Sequence, residues 1–338
     1  MAAPNKNKLY LGMATLVALV AVVFGTDLQQ HENSNSGDSG LLTVKTWTRK
    51  DCSLTPWLVT EKLGYFAEEG IRLEYTGETQ APQQIPSILN GNNDVGSFHP
   101  NTIAVAKAGG AKITGVVRGG QEPSLEFDPD LRHMNWYVNP DSGITSFDQL
   151  KNVDRKLKFS TISKNICADF LANKIADKYG LPRDKIEWVT MPDIQAVQAL
   201  KQGLIDVGGI HPPYYKAMEK SGALKVADTS ETQLGPAAGV TYYVFTDDFI
   251  AKNPETVKKF ARAITKGQKW ANDNPELARQ WTEEALGVPV TGVHYYASSR
   301  EIDETQIEPW IEDLEAHDVI PKGKIKPSDL VTDRFTRG

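Results

Sequence analysis

The chain has 338 residues, a net charge of −6, 40% hydrophobic residues and 24% charged ones. That length allows two domains or one large one, and the composition is that of a globular protein with a buried core. The acidic balance excludes a basic nucleic-acid surface. It leaves a small anionic ligand open, because nearby groups set the field in a site.

Residues 1–25 have the pattern of a signal peptide or an N-terminal anchor. Lys6 and Lys8 precede an uncharged apolar run from Leu9 to Phe24, slightly shorter than the roughly 17–25 residues of a membrane span. Residues 26–40 are rich in polar side chains and predict a flexible linker. From residue 41 the pattern becomes that of a folded domain. Leu42 to Trp47 alternates as a first strand, and Thr55-Pro56 opens a helix with Leu58, Val59, Leu63 and Phe66 on one face. A strand from Ile71, a helix over 83–89, a short strand at Val95-Gly96, a helix over 100–108 and a strand over 113–117 follow. Strands alternating with helices predict βαβ units and a mostly parallel sheet.

The stretch Gly91 to Pro100, GNNDVGSFHP, returns as GLIDVGGIHP from Gly203 to Pro212. Asp94, Val95, Gly96, His99 and Pro100 match Asp206, Val207, Gly208, His211 and Pro212 in step. Gln83 with Gln195, Ile88 with Leu200, and Gly110-Ala111 with Gly222-Ala223 extend the register. Two copies are too few for a solenoid, so the repeat predicts two facing α/β lobes. Gly91 and Gly203 suit left-handed helix C-caps. Each His-Pro then lies between a strand's carboxyl end and a helix's amino end. Open α/β sheets bind ligands there, and free helix N–H groups favour anions.

The second half repeats the alternation. A strand over 157–160 leads to a helix over 166–179 with Ser163 or Asn165 as its N-cap. A strand over 186–189, a helix over 193–201 and the second D-V-G strand with its helix come next. Asn253-Pro254-Glu255 and Asn274-Pro275-Glu276 read as N-caps of C-terminal helices. These helices are expected to pack on the first lobe, with Trp270, Trp281 and Trp310 serving packing and not ligand contact.

Pro56-Trp57-Leu58 to Leu63-Gly64-Tyr65-Phe66, with Glu69-Gly70-Ile71, resembles the opening of substrate-binding proteins of nitrate/sulfonate/taurine-type ABC importers. Leu89-Asn90-Gly91 before Asp94-Val95-Gly96 is similar too. Trp136-Tyr137-Val138, Gly143-Ile144 and Phe147 to Leu150 resemble that family's crossing from first lobe to second. Thr241 to Val244, Phe249-Ile250 and Asn253 to Glu255 resemble the crossing back. The resemblance spans about residues 42–335 and implies an α/β, two-lobed type II periplasmic-binding fold with two crossing strands. Lobe one would be 41–138 and 239–338, and lobe two 139–238. It implies a monomeric, non-enzymatic periplasmic or extracytoplasmic receptor without a cofactor. The receptor would bind a small, anionic organic solute of the sulfonate or taurine kind and deliver it to an ABC permease. The alternative on the same fold is thiamine-pyrimidine precursor binding or synthesis. The cysteine-rich motif of those synthases is missing here, and an export segment is present.

The strand-to-helix junctions supply the candidate ligand-binding residues. They are Arg49, Asp51, Ser53, Trp57, His99, Asn101, Thr102 and Arg118 from lobe one, and Ser163, Lys164, Asn165, His211 and Tyr214 from lobe two. Gly239 and Thr241 come from the second crossing. Each has a structural alternative: Ser163 and Asn165 as helix caps, Trp57 as core, and Tyr215 in place of Tyr214. Cys52 and Cys167 are the two cysteines. An even pair in an oxidising compartment invites a bridge, but one across the cleft would hinder opening, so free thiols are expected. No Ser/His/Asp spacing, phosphate loop or CxxC points to catalysis. His99 and His211 either cap their strand ends by bonding a local backbone group or contact the solute from opposite lobes. A metal would need a further ligand, with Asp51 or Glu122 as candidates. No His-rich loop or close ligand pair supports one, so no metal site is expected.

Overall fold

The computed structural model describes residues 41–337, so the expected signal segment and linker lie outside the described residues. In chain order the first elements are β1 (Leu42–Thr48), α1 (Leu54–Lys62), α2 (Tyr65–Glu68), β2 (Ile71–Glu78), α3 (Ala81–Leu89), β3 (Val95–Phe98), α4 (Pro100–Ala108) and β4 (Ile113–Arg118). Then come β5 (Asn135–Val138), β6 (Leu157–Thr161), α5 (Cys167–Tyr179), β7 (Ile186–Thr190), α6 (Asp193–Lys201), β8 (Val207–Ile210), α7 (Tyr215–Lys220) and β9 (Leu224–Asp228). The chain ends with β10 (Tyr242–Thr246), α8 (Asp247–Lys252), α9 (Pro254–Asp273), α10 (Pro275–Leu286), α11 (Glu308–Ala316) and α12 (Pro327–Leu330).

The hydrogen-bonded strand sets are β1-β2, β3-β10-β4 and β7-β6-β8-β5-β9. Strands β1 and β2 run parallel, as β6 does with β7 and β8. Two strands break the parallel pattern expected from the alternation. β5 inserts antiparallel between β8 and β9, and β10 inserts antiparallel between β3 and β4. Each crossing segment thus becomes a central strand of the set it enters, and both sets are mixed. This is the two-lobed α/β architecture with two crossing strands. Helix α1 packs against α9 and α10, and α4 packs against α11 and α12, so the C-terminal helices cover elements from the start of the chain.

The repeated aspartates have a structural cause. Asp94 N donates to Lys45 O at 2.9 Å, and its carboxylate accepts from Lys45 N at 2.7 Å. Asp206 does the same to Lys158, with both distances 2.8 Å. Each aspartate therefore fastens the start of a D-V-G strand to the strand beside it, in different strand sets. Gly91 and Gly203 have φ of 77° and 69°, the left-handed conformation that ends α3 and α6 and that glycine adopts without a Cβ clash.

The two carboxylates titrate in opposite directions. Partial burial raises Asp206, but the Arg155 guanidinium and the Lys158 N–H outweigh it and hold the carboxyl below its usual value. At Asp94 burial dominates, and the carboxyl is raised. Asp206 therefore stabilises the fold above its unfolded pKa, near about 3.9, and loses that contribution as pH falls through the lower folded value. The ionised form of Asp94 opposes folding, and stability recovers as pH falls through its raised value. In urea titrations Asp206→Asn is expected to cost about 1 kcal/mol at pH 7, the upper end for a partly exposed pair, and this gap should close in acid. For Asp94→Asn the gap should widen in acid. Parallel pH profiles for the two variants would overturn this account.

Three local expectations are corrected. His99-Pro100 does open α4, but His211-Pro212 opens no helix, and α7 begins only at Tyr215. The extra Pro213 is the cause, since a residue before proline is pushed out of the helical region. The Pro212–Pro213 bond is cis. At α5 neither Ser163 nor Asn165 caps. Asn165 is left-handed, and the Asp169 carboxylate accepts from Asn165 N and Ile166 N at 2.7 and 3.0 Å. Asn253 and Asn274 do not bond forward as N-caps either. Their Nδ2 groups turn back to Phe249 O and Trp270 O at 3.2 and 2.9 Å, closing the helices before them.

Candidate functional site

A cavity of about 850 Å³ lies between the strand-to-helix ends of the two halves, a size suited to a small organic ligand. Asp51, Ser53, His99 and Thr102 line it from the first half, Ser163, Lys164, His211 and Tyr214 from the second, and Thr241 from just before β10. Contacts span it: Tyr214 Oη donates to Lys50 O at 2.5 Å, and Thr102 Oγ1 donates to Asn165 O at 3.3 Å. Tyr215 faces away, fully buried, and donates to Arg132 O at 2.8 Å. Lys50 is paired with Glu78 at 2.5 Å. Asp51 accepts from Ser53 N and Oγ at 2.9 and 2.5 Å, so it shapes the loop before α1. Thr241 Oγ1 accepts from Gly120 N at 2.5 Å.

Six of the expected ligand residues lie off this cavity. Trp57 is 1% exposed and packs against Phe66, Tyr243 and Phe260. Arg49 stacks on Trp57 with its guanidinium 3.9 Å from the ring centroid and donates to Trp47 O and Thr46 Oγ1, both at 2.9 Å. Burial lowers its pKa to about 10. Arg118 donates to Gln121 Oε1 and Gln306 Oε1 at 2.9 and 3.2 Å, which anchors the C-terminal segment. Asn101 and Asn165 line a smaller crevice of about 170 Å³ beside Asp169 and Asp313. Gly239 is packed against the Gln121-Glu122 backbone. Arginines at strand ends look like anion ligands in a sequence, but these two are consumed by carbonyls, an aromatic face and side-chain amides.

The cavity wall carries a group that the spacing of residues did not show. His99, His133, His211 and His294 meet there with Cys167, and all five are buried. His133 is the hub, its ring centroid 4.8 Å from His99, 5.4 Å from His211 and 4.5 Å from His294. His99 Nδ1 bonds Val240 O at 2.8 Å. His133 Nδ1 faces His294 Nε2. Cys167 Sγ lies 3.1 Å from His211 Nε2, and His211 Nδ1 lies 2.9 Å from Asp193 Oδ2. Helix α6 places Asp193 at its first position and α5 places Cys167 at its first position, so two helix starts aim this row at the cavity. His133 precedes β5 and His294 sits in the loop after α10. Neither belongs to the repeat; His133 falls beside the predicted first crossing, and nothing in the sequence singles out His294.

The electrostatics follow from burial and neighbours. Burial drives His133 well below the usual imidazole value, and His294 to about 3. Burial opposes charge on His211 as well, but Asp193 and Cys167 outweigh it and raise it well above 6.5. Burial raises the Cys167 thiol, yet His99 and His211 bring it down to about 6. Cys167 and His211 thus each favour the charged form of the other, with Asp193 on the far ring nitrogen of His211. Glu122, raised to about 7 by burial, accepts from His133 N at 2.9 Å and Thr229 Oγ1 at 2.7 Å. Cys52 and Cys167 are free thiols.

Two facing lobes with a ligand-sized cavity between their strand ends define a protein built like the periplasmic solute-binding proteins. The NMT1/THI5-like profile matches residues 52–278, and the chain belongs to that family. The periplasmic nitrate-binding protein NrtA of Synechocystis PCC 6803 superposes with a TM-score of 0.71 at 11% identity, covering 87% of each chain. The alkanesulfonate-binding protein SsuA of Xanthomonas axonopodis pv. citri, bound to MOPS, gives 0.68 at 14% identity, covering 87% of this chain and 98% of that one. A protein of Brucella abortus strain 2308 described as a binding protein is 22% identical over 235 residues, 68% of this chain and 67% of its own.

Proposed function

We propose that this chain is an extracytoplasmic receptor that binds a small organic anion of the sulfonate or taurine kind between its lobes and delivers it to an ABC permease. Residues 41–138 and 239–338 form lobe one in this reading, and 139–238 form lobe two. The supporting observation is the cavity itself, lined from both halves at the strand-to-helix ends. Lys164 brings a cation to its wall, and α4 points its amino end toward it, an arrangement that favours an anionic head group. Among the described residues no helix is long and apolar enough to cross a membrane.

A thermal-shift screen of the full chain against sulfonates, oxyanions, amino acids and pyrimidines tests this. A ligand at 100 times its Kd adds about 2.7 kcal/mol. Lys164→Gln is expected to weaken a sulfonate by about 1.5 kcal/mol or more, as for a hydrogen bond to a charged group. No shift with any class at millimolar concentration would remove the receptor reading. A second reading, thiamine-pyrimidine synthesis on the same fold, is favoured by the activated row Cys167–His211–Asp193. Its sign would be product formation from a precursor in single-turnover mass spectrometry.

A further inference from the structure

We propose that His99, His133 and Cys167 bind a divalent transition-metal ion of the zinc kind on the cavity wall, with one coordination position open to the cavity. This goes beyond the solute-receptor reading and stands without it. Ligand atoms from these three buried residues all lie within 4.8 Å of one another. A point within about 2.8 Å of all three then exists, and shifts of roughly half an ångström reach the ~2.0–2.3 Å bonds that zinc makes to nitrogen and sulfur.

The atoms behind these donors support the assignment. A metal-binding imidazole needs its other nitrogen held, which sets tautomer and ring orientation. His99 Nδ1 is held by Val240 O at 2.8 Å, which leaves Nε2 for the metal. His133 Nδ1 is held by His294. Its Nε2 is buried and has no hydrogen-bond partner among the described residues, as a nitrogen that waits for a metal would be. Cys167 faces His211 Nε2 at 3.1 Å, and Asp193 Oδ2 holds His211 Nδ1 at 2.9 Å. Asp193 thereby fixes the His211 ring, and that ring holds the Cys167 sulfur in place beside the two donor histidines. His211 and His294 are positioning residues in this scheme.

Two imidazoles and a thiolate suit zinc and its neighbours and exclude magnesium or calcium, which take oxygen ligands. Asp51 and Glu122 do not join the set, since Ser53 occupies the first and His133 N with Thr229 the second. Three protein ligands with an open fourth position are the form of a reactive or ligand-accepting zinc site, and four would close it. His99 follows β3 and Cys167 opens α5, so one ion would fasten the two halves across the cavity.

The test uses the full chain stripped with a chelator. Zn2+ titrated by calorimetry is expected to bind one ion per chain. The Co2+ form is expected to show a thiolate-to-metal charge-transfer band. Cys167→Ser should remove the band and weaken Zn2+ at least tenfold. Cys52→Ser, which changes the other thiol, should leave both unchanged. His133→Gln should weaken Zn2+ at least tenfold, and Asp193→Asn by about 10–100-fold, the usual effect of losing an outer-shell partner. Circular dichroism of each metal-free variant separates misfolding from ligand loss. Absence of stoichiometric Zn2+ binding, or a Co2+ band that survives Cys167→Ser, overturns the proposal. Because the wild-type Co2+ band alone reports the thiolate, the proposal stays testable if a histidine variant fails to fold. A metal-free chain that still binds a sulfonate would leave the receptor reading intact while the metal arm fails.

Discussion

Trp57→Ala is expected to lower the unfolding free energy by about 3–5 kcal/mol, the cost of removing a buried aromatic. The indole is 1% exposed. Its ring centroid lies 5.9, 5.8 and 5.4 Å from those of Phe66, Tyr243 and Phe260. Those rings come from α2, β10 and α9, so a void at Trp57 opens a junction between sequence-distant elements that cannot collapse together. The Arg49 guanidinium, 3.9 Å from the ring centroid, would lose the aromatic face that compensates its burial. Urea unfolding gives the stability change. Ligand and metal affinities measured on the folded variant should match the wild type. The reverse pattern, a loss under about 1 kcal/mol with weakened binding, is what a rim contact of small burial would give, and it would place Trp57 on the cavity.

The contrast between Trp57 and Tyr214 shows where sequence reading reaches its limit. Both stand just after a strand-to-helix junction, and both are aromatic. Periodicity locates the junction but not the direction of the side chain. Tyr214 reaches across to Lys50 O, while Trp57 turns inward. The alternation of strands and helices was legible because each short strand is apolar and each helix carries a stripe. The D-V-G repeat was legible in register, and its aspartates now have a backbone reason. Its second His-Pro was misleading, because one added proline moved the start of α7. The antiparallel insertions of β5 and β10 leave no local trace, since an inserted strand looks like any other buried strand.

The histidine and thiol group was half legible. His99 and His211 stood out by repetition. Cys167 was weighed only as half of a disulfide. His133 and His294 are 161 residues apart and come together only because β5 and the loop after α10 converge on the cavity wall. Metal-ligand spacing rules work when ligands share a helix or a hairpin. Here each donor comes from a different junction, and such a set becomes visible only once the strands are placed.

Gly239→Val is expected to cost about 1–3 kcal/mol or more, the range for forcing extra atoms into a packed interior. A Cβ at Gly239 would lie 2.5 Å from Glu122 N and 2.7 Å from the Gln121 carbonyl carbon. Both are backbone atoms, so no side-chain rotation relieves the contact. The segment Gly235–Gly239 is fixed from the other side, because Trp310 Nε1 donates to Ala237 O at 3.0 Å. The displacement therefore passes along the chain to Val240, whose carbonyl holds His99 Nδ1, and to Thr241, which caps Gly120 N. Glu122, on the opposite side of the contact, holds His133 N. One substitution thus presses on the supports of two of the three proposed metal donors without touching the cavity. The expected result is a lower urea midpoint together with weaker Zn2+ binding, whereas Trp57→Ala lowers the midpoint alone. Equal Zn2+ affinity in Gly239→Val and wild type would mean that the His99 and His133 rings are held independently of this backbone crossing.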